Sequence, residues 1–290
     1  ATEKISRIGI VLTGSALMVI IGATDADKAF FSHESGIDWN VIFLLLGMMV
    51  IVGIIHKTGL FEYLAVVSLK KSRGNPRSAL VYLLILTALA SAILDNVTTI
   101  LLAVPMTIIA CRYLNVSAVP FILSEVYISN IGGAATLVGD PPNIIIASRA
   151  NLSFNQFLVH MAPMVVLVLL VVIPLLIIMF RKELVNSQSD RDQIMQLDPK
   201  QYITDSVLLK KSLAVLTLVM AAFVTHTIFD LEPSVIALMG AGVLVAISGL
   251  KPKDFVADIE WTTLVFFAGL FVMVGALVNV GALAEFATML

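Results

Sequence analysis

A single cysteine, Cys111, excludes an internal disulfide, and nothing around it or the four histidines suggests a metal cluster. Charge is scarce too. Only 13% of the 290 residues are Asp, Glu, Lys or Arg, against roughly 25% in a soluble domain. Net charge is −2, so there is no basic face for a nucleic acid and no nucleic-acid partner is expected. What fills the gap is apolar: 59% of residues are hydrophobic, and mean hydropathy is +1.01. The chain starts at Ala1 and stops inside an apolar run at Leu290, so it reads as a piece of a longer one, and the lack of a signal peptide carries no meaning.

The missing charge is missing in blocks. About 20 apolar residues in a helix cross a hydrocarbon core of ~30 Å. Stretches 8–24, 39–55, 161–180, 233–250 and 261–284 meet or approach that length, and 212–229 is interrupted only by His226. Two more, 78–110 and 113–139, are as apolar except for one acid each, Asp95 and Glu125. A buried soluble core cannot absorb so many uncharged runs. The expected fold class is an all-α polytopic membrane protein whose partner is the lipid bilayer.

Placing the N-terminus in the cytoplasm puts sixteen of the 18 Lys and Arg inside, with only Lys28 and Arg149 outside. That is the asymmetry of the positive-inside rule. The 24–38 loop, with Asp25, Asp27, Glu34 and Asp38, then lies outside, and the polar linker 182–211 is cytoplasmic. Stretch 59–73 is too short and too charged to span and reads as an interfacial helix. An internal repeat at an offset of 222 pairs Trp39, Gly47, Val50, Val52, Gly53, Gly59 and Ala65 with Trp261, Gly269, Val272, Val274, Gly275, Gly281 and Ala287. The crossing ahead of each half ends in a matching Gly22 or Gly249, and the two crossings run in opposite directions. The halves therefore read as inverted repeats, the architecture of many secondary transporters. The second repeat is cut short, and roughly 116 further residues are expected after Leu290.

Two polar clusters interrupt the apolar runs. In Asp95-Asn96-Val97-Thr98-Thr99, a carboxylate at bilayer depth costs at least ~2.5 kcal/mol unless it faces protein, water or an ion. Asp and Asn suit a helix N-cap, so the region 78–110 is expected to form a re-entrant hairpin with its tip in the membrane. Two full spans joined by a capped surface turn are the alternative. The second cluster, from Ser129-Asn130 through Gly132-Gly133 and Thr136 to Gly139-Asp140-Pro141-Pro142-Asn143, sits inside one apolar segment. Its glycines weaken a helix and its prolines remove donors, so the helix is expected to break there. Unwound backbone at that depth must line a cavity or be buried. Asp95, Asn96, Thr98, Thr99, Asn130, Gly132, Gly133, Thr136, Asp140 and Asn143 are the candidate ion- and substrate-binding residues, with Na⁺ at Asp95, Asn96 and Asp140. The alternative is a Pro/Gly kink used only for packing. Glu125, alone in its apolar half-helix, is a candidate proton carrier or else an interfacial or helix-paired acid. His160 and His226 read as interfacial or packing residues, and Asn151-Leu152-Ser153 as a weak glycosylation acceptor.

These two clusters resemble the ion transporter superfamily, in its arsenite permease and sodium/proton antiporter branch, with the wording nearest to P-protein-like members. The resemblance covers the whole chain. It implies a homodimer whose fixed scaffold flanks a mobile transport domain, no cofactor, and Na⁺ or H⁺ as coupling ion. On this chain that gives scaffold helices at 1–75, the hairpin and broken helix of the transport domain at 76–156, the last helix of repeat one at 157–181, the linker at 182–211, and the first helices of repeat two at 212–290. In related dicarboxylate carriers a Ser-Asn-Thr hairpin tip holds Na⁺ and substrate. The matching positions here are Asp95, Asn96, Val97 and Thr98; Asp95 replaces the Ser and Val97 the Thr. A carboxylate there repels an anion unless a cation neutralises it, which favours cation or proton coupling. The expected function is secondary active transport of a small ion by alternating access, not an enzyme. A channel or an arsenite or anion permease on the same scaffold is the alternative. A remote one is an intramembrane aspartyl protease using Asp95 and Asp140 as a dyad.

Overall fold

A computed structural model describes residues 6–32, 35–150, 152–185 and 191–282, without the side chains of residues 191 and 192. The described residues are helical and contain no strand. The helices are α1 (Arg7–Ile20), α2 (Ala26–Phe31), α3 (Trp39–His56), α4 (Leu60–Ser72), α5 (Pro76–Ser91), α6 (Asn96–Leu114) and α7 (Val119–Gly133). They continue as α8 (Pro141–Ala150), α9 (Phe154–Met179), α10 (Arg191–Gln196), α11 (Ser206–Phe229), α12 (Pro233–Ser248), α13 (Pro252–Val256) and α14 (Trp261–Asn279), with a 3₁₀ turn at Pro199–Tyr202. α3, α6, α9, α11 and α14 are each long and apolar enough to cross a membrane.

Caps explain several boundaries. Asp38 accepts from the backbone N–H groups of Asn40 and Val41 at the start of α3. Ser153 and Gln156 form a capping box that starts α9 at Phe154, seven residues before the uncharged run. Asp205 caps α11 through Val207 and Leu208, so this helix begins inside the stretch read as linker. The rest of that stretch is not free coil: Ile194 is buried, and Lys70 donates to the Leu197 carbonyl at 2.5 Å. The acidic 24–38 loop holds α2, capped by Asp25. Glu34, Asn151 of the glycosylation triplet and Ala287 of the repeat lie outside the described residues.

Two apolar cores form. In the first, α3 is buried along most of its length against α11, α12 and α14, with Ile51, Ile54, Phe223 and Ile236 at its centre. The second joins α4, α5, α6 and α7 to the end of α9 around Leu80, Leu84, Phe121 and Ile128. The face of α9 carrying Leu167, Leu170 and Val171 is exposed, as suits a lipid-facing helix.

Glycines set the closest helix contacts, and they recur at the offset of 222. α3 packs on α12 and α14 on α1. A Cβ on Gly47 would lie 2.7 Å from the Ala237 carbonyl carbon, while one on Gly269 would collide with Val11. One on Gly53 would lie 3.0 Å from the Asp258 Cβ, and one on Gly275 would collide with the Ser35 carbonyl. Position 258 less 222 is 36, next to Ser35. Gly59 and Gly281 both take positive φ, at 77° and 75°, where L side chains are strained. Gly47 and Gly269, and Gly53 and Gly275, thus make corresponding close contacts. Gly59 and Gly281 share only their backbone conformation: a Cβ on Gly59 would collide with the Tyr202 carbonyl, and one on Gly281 would meet nothing within 4 Å among the described residues.

Candidate functional site

The chain turns between α5 and α6 at residues 92–95, and Asp95 caps α6. One Asp95 oxygen accepts from the Thr98 N–H at 2.8 Å and the other from the Thr98 hydroxyl at 2.5 Å. The Thr99 hydroxyl donates to the Asp95 carbonyl at 2.8 Å. The residue after the cap, Asn96, turns across to the broken helix: its amide donates to Asn130 Oδ1 at 2.9 Å and to Asp140 Oδ2 at 3.4 Å.

The break lies between α7 and α8, at residues 134–140. Unwound backbone must be satisfied locally, and two side chains do much of it. The Thr136 hydroxyl donates to the Ala92 carbonyl at 2.5 Å and accepts from the Gly139 N–H at 3.1 Å. The buried Asn143 amide donates to the Gly133 and Thr136 carbonyls at 2.9 and 2.8 Å. The glycines admit the hairpin: a Cβ on Gly132 would lie 2.6 Å from the Ala88 carbonyl oxygen, and one on Gly139 would lie 2.6 Å from that of Ser91. The Ser91 hydroxyl in turn donates to the Ser129 carbonyl at 2.6 Å.

The ten candidates therefore separate by task. Asp95, Asn96, Thr98, Asn130 and Asp140 come together as the polar cluster. Thr99, Gly132, Gly133, Thr136 and Asn143 hold hairpin and break in register. Glu125 is elsewhere, fully buried in the second core with Thr107. One residue was missed. Glu260, immediately before α14, accepts from the Thr98 hydroxyl at 3.3 Å and from the Thr263 hydroxyl at 3.0 Å. The repeat held the signal for it, since Asp38 and Glu260 are equivalent acids before equivalent tryptophans. Asp38 likewise accepts a hydrogen bond from Ser148 of α8.

Three carboxylates thus surround Asn96 and Thr98, and both Asp140 and Glu260 lie within electrostatic reach of Asp95. Among the described residues none of the three forms an ion pair; the two ion pairs are Lys28–Asp25 and Lys57–Asp258. Nor do three acids converge on one point as a side-chain metal cage would need. A cation here would share hydroxyl, amide and carbonyl oxygens. A cavity of about 520 Å³ adjoins the cluster at Thr98 and Glu260, and His56, Glu62 and Asp258 line it too. Asp95 and Asp140 share no hydrogen bond among the described residues, so the proton-sharing geometry of a protease dyad is absent. The histidines act locally: His160 bonds the Gln156 carbonyl on its own helix, and His226 accepts from the Phe154 N–H.

Comparison with known proteins gives consistent neighbours. The citrate transporter family (CitMHS) matches residues 1–290. A protein of Mycobacterium tuberculosis named an uncharacterized transporter is 50% identical over 288 residues, covering 99% of this chain and 67% of its own. A 46 kDa membrane protein of Mycobacterium leprae is 47% identical over 287 residues, with the same coverage. The P protein of Homo sapiens is 31% identical over 350 residues, covering 96% of this chain and 42% of that one. With its apolar helices, the family match makes this a multi-pass integral membrane protein.

Proposed function

The chain belongs to the citrate transporter family, and on that premise we propose secondary active transport of a small ion, coupled to Na⁺ or H⁺. The observation that carries this reading is the cluster of three carboxylates, Asp95, Asp140 and Glu260, none of which forms an ion pair among the described residues. Half-buried negative charge gathered at a cavity draws cations to it. A coupling cation supplies the balance, held by hard oxygens of the tip and the break. The family name points to citrate. A citrate anion can approach these acids only after a cation has neutralised them, so cation binding comes first.

Alternating access fits the arrangement. The hairpin and broken helix form the moving unit within the core of α4 to α7, and α3, α11, α12 and α14 form the frame. The matching glycine contacts of α3 and α14 support inverted repeats, the Lys/Arg asymmetry favours a cytoplasmic N-terminus and linker, and the family resemblance favours a homodimer as the working unit. Glu260 joins frame to hairpin through Thr98, and Asp38 joins frame to α8 through Ser148. Each bond is placed to break when the units move. Counterflow in proteoliposomes of the full-length protein tests the reading. Accelerated exchange of labelled citrate supports it; an ohmic current without coupling refutes it and favours a channel.

A further inference from the structure

We propose that Glu125 is a proton-binding site inside the hairpin core, separate from the acidic cluster at the tip. The proposal rests on the coupled-transport reading and names where one proton is held. Glu125 lies in α7 with no exposed surface. Its Oε1 accepts from the Thr107 hydroxyl at 2.7 Å, and its Oε2 is buried with no partner. The side chain borders a chamber of about 30 Å³ enclosed by α4, α5, α6 and α7, whose other polar walls are Thr87, Thr99 and Thr107. At ~10–15 Å³ each, that holds about two or three waters.

No Asp, Lys, Arg, His or second Glu from α4, α5 or α6 lines the chamber. α9, also packed on α7, has His160 as its one titratable or charged side chain, exposed six residues from the helix start. Cys111, buried one turn beyond Thr107 on α6, lies within electrostatic reach of Glu125. Glu62 of α4 faces the neighbouring cavity, which shares Leu102 and Met106 with the chamber. Glu125 therefore has no cation to pair with. A Na⁺ ion needs several oxygens, and apart from Glu125 and the three threonines the walls of this small chamber are apolar. A proton needs only one water. It binds Oε2, converting carboxylate to carboxylic acid; the new O–H donates to a chamber water, and the proton leaves by the same water. Thr99 is the shared wall. Its side chain lines the chamber while its hydroxyl holds the backbone of the tip, so proton occupancy is felt at Asp95.

Infrared difference spectra of the full-length protein in lipid, taken across pH with Glu125→Gln as the reference, test this. The expected result is a protonated-carboxyl C=O band lost in Glu125→Gln and shifted to higher frequency in Thr107→Val, which lacks the hydrogen bond to Oε1. Carboxylate bands alone at every pH at which the protein stays folded would overturn the proposal. If Glu125→Gln does not fold, an unshifted band in Thr107→Val overturns it instead. Failure of the tip reading shows in Asp95→Asn and Asp140→Asn transport, not in this band, so the two can be told apart.

Discussion

Gly132→Ala adds one methyl group where hairpin and broken helix touch. Its Cβ would lie 2.6 Å from the Ala88 carbonyl oxygen and 2.7 Å from the Ala88 Cα, against 3.4 Å for ordinary contact. The helices must separate by roughly 0.8 Å, and the obstacle is backbone that cannot rotate aside. Overpacking of this kind costs about 1–3 kcal/mol. Alanine returns up to about 1 kcal/mol of helix propensity, so the net loss is as much as ~2 kcal/mol. At about 2–4 °C per kcal/mol the melting temperature in detergent should fall by several degrees. Transport should fall further, because the Ser91–Ser129 and Thr136–Ala92 hydrogen bonds that set the tip cross the same contact. Gly242→Ala in α12 is the control: nothing lies within 4 Å of its Cβ, so only the propensity gain applies. If the two variants melt and transport alike, the close-approach argument is refuted.

Asn143→Leu should destabilise by about 2–6 kcal/mol, since the Gly133 and Thr136 carbonyls both lose their buried donor at ~1–3 kcal/mol each; differential scanning fluorimetry reads this as a large drop, and an unchanged melting temperature would contradict it. Thr98→Val removes hydroxyl bonds to Asp95 and Glu260 and should raise the half-maximal coupling-ion concentration about tenfold, at ~1.4 kcal/mol per tenfold. Cysteines placed at Asn96 and Thr98 in a Cys111→Ser background should be reached only through the cavity. Free labelling from outside by a bulky impermeant reagent, irrespective of ions, would put the tip in an outer loop.

The break was legible because its determinants are local. Gly132-Gly133 and Pro141-Pro142 bracket residues 134–140, and each acts on its own backbone. Asp95 as a cap was legible for the same reason. Glu260 was not, because its hydrogen bond to Thr98 spans 162 residues and only the fold brings the two together. Lys210 and Lys211 concealed the first turns of α11, since charges read as loop; in fact Lys211 reaches back to the Ile247 carbonyl at 2.8 Å. α2, α10 and α13 are five or six residues long, too short for periodicity to reveal. The close contacts of Gly132 and Gly139 with the hairpin were not legible, because a glycine's packing partner is invisible in sequence.

The claim that three unpaired carboxylates form a cation site is tested most directly by the coupling-ion dependence of transport in Asp95→Asn, Asp140→Asn and Glu260→Gln. These variants keep shape and remove charge. Losing one charged partner is worth about 1.5–3 kcal/mol, so the half-maximal Na⁺ or H⁺ concentration in proteoliposomes should shift by roughly 10- to 100-fold in each. Wild-type ion dependence in all three would contradict the account.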